Sequence, residues 1–474
     1  MLGLVVFALG LASIMLLIGM VLRAKVSLFR TYMVPTSVIA GVLGFAFMNA
    51  GLHEHLLRPI EFGTFSIIIV YMFTIAFISI ILTAAPKQET GESVSKNILK
   101  GSLGMGNTWN ILYAFLPLVG ALVLMTIGGA FRMDPVYGMM LPFGFTQGPG
   151  QSVTFGTMLE GYGFENAIMV GLTYSVFGFM MTFLIGVPLA KWGLKRGLGI
   201  EKGGVIPEHV TRGHYTPEEP SPQLGRSTTY TGNIDTLTFH FALIGICLVM
   251  AIYFSRWWLM IPGTVGATMS GMLFMNGIFA ALIIKFIIKQ LKIEFLQNSV
   301  LQTKITAWAA DYLVVLSFMA IAVGVISTWI IPLLILCLIA TLISLLVTMY
   351  FIPRIGGQND FERFISFYGV SVGTIPTALV LLRLVDPELK TTTGIELGMM
   401  NLLMMAASLP IVFVIMAYAA GDFTLTQTLL IFVVFTIGFL ILQKLFQCWN
   451  KPSFHFFGSK AVAENASDDT GKDA

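Results

Sequence analysis

Charge is what this chain of 474 residues most lacks: Asp, Glu, Lys and Arg make up 11% of it, against 56% hydrophobic residues. A soluble domain carries about 25% charged residues, so most of this chain belongs in a membrane. The formal net charge of +3 is small and scattered, which removes the case for a nucleic-acid partner. Three cysteines, Cys247, Cys337 and Cys448, give neither a disulfide framework nor metal-ligand spacing. Walker A, His-Glu-x-x-His, Gly-x-Ser-x-Gly and paired membrane aspartates are all missing. An ATP-driven pump or an intramembrane protease is left without machinery, and neither enzymatic activity nor a cofactor is expected. The start, Met1-Leu-Gly-Leu-Val-Val, has no basic n-region, so the first apolar run reads as a retained span with its N-terminus outside.

What the chain has is apolar runs of about 20 residues, the length of a membrane span. They fall near Leu2–Leu22, Tyr32–Ala50, Thr64–Ala84, Thr108–Ala130, Asn166–Ala190, Leu237–Phe254 and Trp257–Ile284. Further runs lie near Ile305–Ile326, Trp329–Phe351, Ile395–Ala420 and Thr424–Phe446. Two segments interrupt this series, Pro135–Phe155 and Phe364–Leu382. The first carries Thr146-Gln-Gly-Pro-Gly-Gln-Ser152 and the second Ser371-Val-Gly-Thr-Ile-Pro-Thr377. Glycine and proline at this density break a helix, and irregular backbone survives at membrane depth only inside protein or beside water. Both segments are therefore expected to be re-entrant hairpins.

Charge gives an independent argument, because Lys and Arg collect in cytoplasmic loops. Counting both segments as hairpins leaves only Arg58, Arg132 and Arg256 of the 27 Lys and Arg outside. Counting either as a full crossing puts clusters such as Lys191, Lys195 and Arg196 on the wrong side. The C-terminus is then cytoplasmic, in the inner membrane.

The pattern also repeats. Val34-Pro-Thr-Ser-Val-Ile-Ala40 matches Ile261-Pro-Gly-Thr-Val-Gly-Ala267, and Phe47-Met-Asn49 matches Phe274-Met-Asn276. Pro376 follows Pro149 at the same interval as Pro262 follows Pro35. The fold expected is an all-α polytopic membrane protein with two inverted-topology repeats. Each repeat has five transmembrane helices and one re-entrant hairpin, and one extra C-terminal transmembrane helix follows. The repeats span 1–200 and 236–420, joined by a polar cytoplasmic linker at 201–235. The extra helix occupies 421–447, and 448–474 forms a cytoplasmic tail, disordered from Lys451 on.

Transporters of inverted design place their sites on broken helices at the repeat interface. Half-helix N-termini suit anionic groups, while unwound carbonyls suit Na⁺ or H⁺. The candidates for solute and ion binding are Thr146, Gln147, Gly148, Pro149, Gly150, Gln151 and Ser152 in the first hairpin. In the second they are Ser371, Gly373, Thr374, Pro376 and Thr377. Asp311 is a secondary ion-site candidate as an intramembrane carboxylate; its alternative is an interfacial pairing with Lys304. Arg383 is read as a topology anchor before a carboxylate partner, and His240 as a structural hydrogen-bonder. Asn401 and Ser408 support the second hairpin or bond between helices.

At these residues the chain resembles the bacterial sodium/glutamate symporter family. Gly373-Thr-Ile-Pro-Thr-Ala378 looks like the end of that family's second hairpin motif, with Ser371 where glycine is usual. Gln147-Gly-Pro-Gly-Gln-Ser152 resembles the first motif, with Gln147 where histidine is usual. The flanks Tyr162-Gly-Phe-Glu-Asn-Ala167, Phe177-Gly178, Gly186-Val-Pro188 and Tyr32–Gly41 are also similar. The resemblance implies Na⁺-coupled symport of glutamate or a related small anionic or amino-acid solute, with ligands from both hairpins. A citrate-type 2-hydroxycarboxylate symporter shares this architecture and is the alternative, with an ion channel behind it. Na⁺, the solute and the lipid bilayer are the expected partners, and a homodimer is expected by architectural analogy alone.

Overall fold

A polypeptide surrounded by hydrocarbon must satisfy its own N–H and C=O groups, and a helix does so within one segment. The computed structural model describes residues 2–83, 92–200, 208, 212–219 and 225–456, and among these no strand forms. The first half holds α1 (Leu2–Lys25), α2 (Thr36–Asn49), α3 (Phe62–Leu82) and α4 (Glu92–Phe131). Two short helices follow, α5 (Pro135–Met139) and α6 (Leu141–Phe145), then α7 (Pro149–Gly161) and α8 (Ala167–Lys195). The second half begins with α9 (Thr236–Trp258), α10 (Thr264–Gly271), α11 (Leu273–Gln290) and α12 (Ser299–Met319). It continues with α13 (Ile330–Phe351), α14 (Asp360–Ser371), α15 (Ile375–Val385), α16 (Thr393–Ala420) and α17 (Leu425–Leu445). Eight helices among the described residues are long and apolar enough to cross a bilayer. The chain is a multi-pass membrane protein.

Three runs differ from the expected spans. The run Ile305–Ile326 lies on α12, which starts at Ser299 and ends at Met319, before a separate turn at Val323–Ile326. Helix α4 has 40 residues and starts well before Thr108, because Ser95, Lys96 and Asn97 limit a membrane span without ending a helix. The run Trp257–Ile284 is divided: Trp258 closes α9, Gly263 turns the chain at φ +84°, and Met272 separates α10 from α11. Pro262 with three nearby glycines explains the division.

The helices pack in two groups. Helices α1, α2, α3, α9, α11 and α12 contact one another closely, and α4 to α8 with α13 to α17 do likewise. Small residues bring backbones together inside each group. Gly41 and Gly44 of α2 face Phe318 and Met319 of α12, and Gly120 of α4 lies against Gly138 of α5. Polar pins add to this: Ser13 Oγ and Tyr312 OH share a 2.7 Å hydrogen bond, and His240 joins Thr236 O to the Asn298 amide. His240 thus has the structural role read from the sequence. The groups meet along α3, α7, α10 and α12, with fewer contacts.

One ionic cluster is fully buried. Arg363, at the start of α14, has no exposed surface. Its Nε and Nη2 donate to Glu396 of α16 at 2.6 and 2.9 Å, and its Nη1 to Asp360 at 3.0 Å. The Gly356 carbonyl and both oxygens of Asn97 accept the remaining N–H groups. The base of α14 is thereby tied to α4 and α16 at once. A strap after α17 covers the same base: Phe454 and Phe456 pack on Phe361 and Phe364, and Phe456 stacks on Trp192 of α8. The stretch Lys451–Phe456, expected to open a disordered tail, instead packs because its phenylalanines find this aromatic patch. The expectation for 457–474, and for most of the 201–235 linker, lies outside the described residues.

Removing one partner of a buried ion pair strands the other charge, at a cost of about 3–5 kcal/mol. Glu396→Leu is expected to lose that much stability, and Glu396→Gln, which keeps an acceptor, distinctly less. Thermal unfolding in detergent reads both. Equal melting of the Leu variant and the native chain would mean Arg363 is not held as described.

Candidate functional site

The two glycine- and proline-rich segments each form helix, break and helix. The first break is Thr146–Gly148, between α6 and α7, and the second is Val372–Thr374, between α14 and α15. Proline takes the first turn after each, where its missing N–H costs nothing. Gly148 stands at φ +85°, ψ −172°, a region open essentially to glycine alone. Gly150 is required for a different reason: its Cα lies on the ring of Phe73, and any Cβ would collide with it. The amide of Thr374 donates to Thr377 Oγ1 at 2.9 Å, which fixes the second break.

Far apart in sequence, the breaks meet in space. A Cβ on Gly148 would come 2.5 Å from Thr374 Cγ2. Between the breaks and the α2, α3, α11 and α12 surfaces lies a cavity of about 190 Å³. That is smaller than the roughly 300–1,000 Å³ of drug-sized sites and suits one small solute.

Thr146, Gln147, Pro149, Gly150 and Gln151 line the cavity from the first break, and Thr374, Pro376 and Thr377 from the second. Asp311 lines it from α12, with Asn401 and Ser408 from α16. Four candidates are placed elsewhere. Ser152 turns to α8, its Oγ within 2.9 Å of Gly171 O and 2.8 Å of Ser175 Oγ. Ser371 donates to Tyr368 O and faces α13 through Thr348. Gly148 and Gly373 shape the breaks without bordering the space.

Several polar groups on the wall are already engaged. Tyr113 OH donates to Gln147 Oε1 at 3.0 Å, and Thr146 Oγ1 donates to Pro142 O at 2.9 Å. Gln151 is 5% exposed, yet its Oε1 has no hydrogen-bond partner among the described residues. Asp311 opens onto the cavity and interacts with the Ser37 hydroxyl. Among the described residues no ion pair joins it to Lys304. Arg383 is exposed and off the cavity wall.

Sequence reasoning missed most of the apolar wall, notably Phe73, Phe179 and Phe274. A helix apolar on every side gives no sign of which face borders a cavity. Ser37 had a signal, since it sits in the recurring Val-Pro-Thr-Ser motif, where it opens α2.

The junction of the two breaks gives a direct test. Gly148→Ala is expected to cost about 1–3 kcal/mol from backbone strain alone, plus the clash with Thr374. Adding Thr374→Ser, which removes the opposing methyl, should recover the clash but not the strain. Melting temperatures of the single and double variants separate the two; full recovery would show that the backbone at Gly148 is unstrained.

The match to known proteins covers the same ground. A family model described as sodium/glutamate symporter matches residues 4–388, including both breaks and Asp311. No curated protein matches the chain.

Proposed function

The chain belongs to the sodium/glutamate symporter family, and on that premise we propose that it carries glutamate or a related small anionic or amino-acid solute together with Na⁺ through the cavity between its two breaks. A symporter family is a transport class and not an enzymatic one. The observation that carries the reading is the meeting of two distant helix breaks and one carboxylate, Asp311, around a single cavity. Freed N–H groups at the starts of α7 and α15 would hold a carboxylate, and carbonyls at the ends of α6 and α14 would hold a cation. Asp311 would supply the charged ligand for Na⁺.

In this reading the broken segments are re-entrant hairpins of two inverted repeats, 1–200 and 236–420, joined by the 201–235 linker. Recurrent elements support it: α2 and α10 both begin just after a Pro-containing turn, and α7 and α15 begin at equivalent places in the repeat interval. The division into two packing groups with the cavity at their junction supports alternating access, one group moving against the other. The helix at 421–447 is an addition, the N-terminus lies outside, the C-terminus lies in the cytoplasm, and the membrane is the inner one. A homodimer remains part of the proposal by analogy of architecture.

Uptake of a labelled solute into proteoliposomes under an inward Na⁺ gradient tests it, with Asp311→Asn beside the native chain. The native chain should concentrate solute only with the gradient, and Asp311→Asn should lose at least tenfold of that uptake. Solutes that equilibrate without concentrating, whatever the gradient, would replace the symport reading with a channel.

A further inference from the structure

The wall of the cavity is unusual in what it omits. Asp311 is its sole ionisable side chain among the described residues; no Lys, Arg or His borders the space. The buried guanidinium of Arg363 is not available, because Glu396, Asp360, Asn97 and Gly356 occupy its donors. Each break brings a helix C-terminus to the cavity beside a helix N-terminus, so the partial charges of the helix ends cancel to first order. The fixed charge of the cavity wall is therefore the single negative charge of Asp311. One Na⁺ balances it. With one Na⁺ bound, a solute of no net charge leaves the loaded cavity neutral, whereas glutamate, with two carboxylates and one ammonium, leaves a negative charge that no side chain on the wall meets. Burying a carboxylate without a partner is among the costliest substitutions in a protein interior.

The remaining wall agrees with that sign. Phe73, Phe77, Phe155, Phe179 and Phe274 supply aromatic surface, with Met404 among the aliphatic side chains. Such a surface rewards an apolar side chain, and the other polar groups on the wall, among them Ser37, Thr306, Asn401 and Ser408, are neutral and supply no countercharge to a second carboxylate. Gln151 adds an independent pointer. Its Oε1 is a buried acceptor without a donor, and buried acceptors are normally paired. An ammonium on the solute would supply the missing N–H, while the N–H groups at the starts of α7 and α15 take its one carboxylate.

We propose that the preferred solute is a neutral amino acid with an apolar side chain, and not glutamate. The assignment rests on the symport reading and narrows its solute. The full-length chain, reconstituted under an inward Na⁺ gradient, is offered labelled leucine, methionine, phenylalanine, glutamate and citrate. The same compounds are added with Na⁺ in thermal unfolding. At least one apolar amino acid should accumulate tenfold or more above glutamate and raise the melting temperature. Gln151→Met, of similar size without the amide oxygen, should raise the half-saturating concentration of that amino acid at least tenfold with its melting temperature in the absence of solute unchanged. Na⁺-driven accumulation of glutamate or citrate in preference to the apolar amino acids overturns the assignment and leaves symport standing. Stabilisation by an apolar amino acid with no accumulation of any solute upholds the assignment and removes symport. Neither stabilisation nor accumulation by the apolar amino acids overturns it.

Discussion

Everything at the centre of this protein depends on one constraint: a backbone that leaves its helix among apolar side chains must find partners for its N–H and C=O groups. At Thr146–Gly148 and Val372–Thr374 the chain answers in a limited way. Gly148 N reaches Gly144 O at 3.0 Å, Val372 N reaches Tyr368 O at 3.2 Å, and Thr374 N takes Thr377 Oγ1. Proline in the first turn of α7 and of α15 removes a donor that no partner could serve. Residues of both breaks border the same small space. A cavity follows from the breaks, and the breaks follow from glycine and proline at fixed positions.

Such breaks would be unstable if their arms could drift, and the structure holds the arms away from the cavity. The base of α14 is fixed by the Arg363 cluster and covered by the aromatic strap ending at Phe456. On the first side, Asp134 caps α5 through the Val136 amide, and Tyr174 OH donates to Tyr137 O at 2.9 Å. The rigid parts are therefore at the roots and the irregular parts at the tips. This division lets each tip keep an unusual conformation, because surrounding packing over-determines it. It also means the strap, though outside the family-matched residues, acts on a broken helical segment inside them.

Much of this was legible in the sequence, for physical reasons that also set the limit. Apolar runs of fixed length give helices, so the order of elements and most of their ends were readable. Glycine and proline are strong breakers, so both irregular tips were found, and Pro149 and Pro376 marked the helices that start there. Asp311 stood out because a carboxylate in an apolar run is costly. Which way a side chain points was not legible. Ser152 and Ser371 share the composition of the tips, yet both turn to neighbouring helices, a choice made by the tertiary positions of Ser175 and Thr348. Arg363 and Glu396 were overlooked because each, taken alone, reads as a charge at a helix end. Only the fold brings α14 and α16 together and buries the pair.

The electrostatics of the cavity bear on coupling under the symport reading. A charge in an apolar cleft interacts far more strongly than in water, since little solvent intervenes. With Asp311 as the only fixed charge on the wall among the described residues, the wall carries a net negative charge, and moving it through the apolar junction between the two packing groups would be opposed. Na⁺ alone neutralises that charge but leaves the freed N–H groups at α7 and α15 without an acceptor. A carboxylate-bearing solute alone leaves the charge of Asp311 without a cation. Only joint occupancy satisfies both the carboxylate of Asp311 and the donors of the breaks. A differential of this kind between occupied states is what a coupled carrier needs, because a ligand moves a conformational equilibrium only as far as it binds the two states unequally.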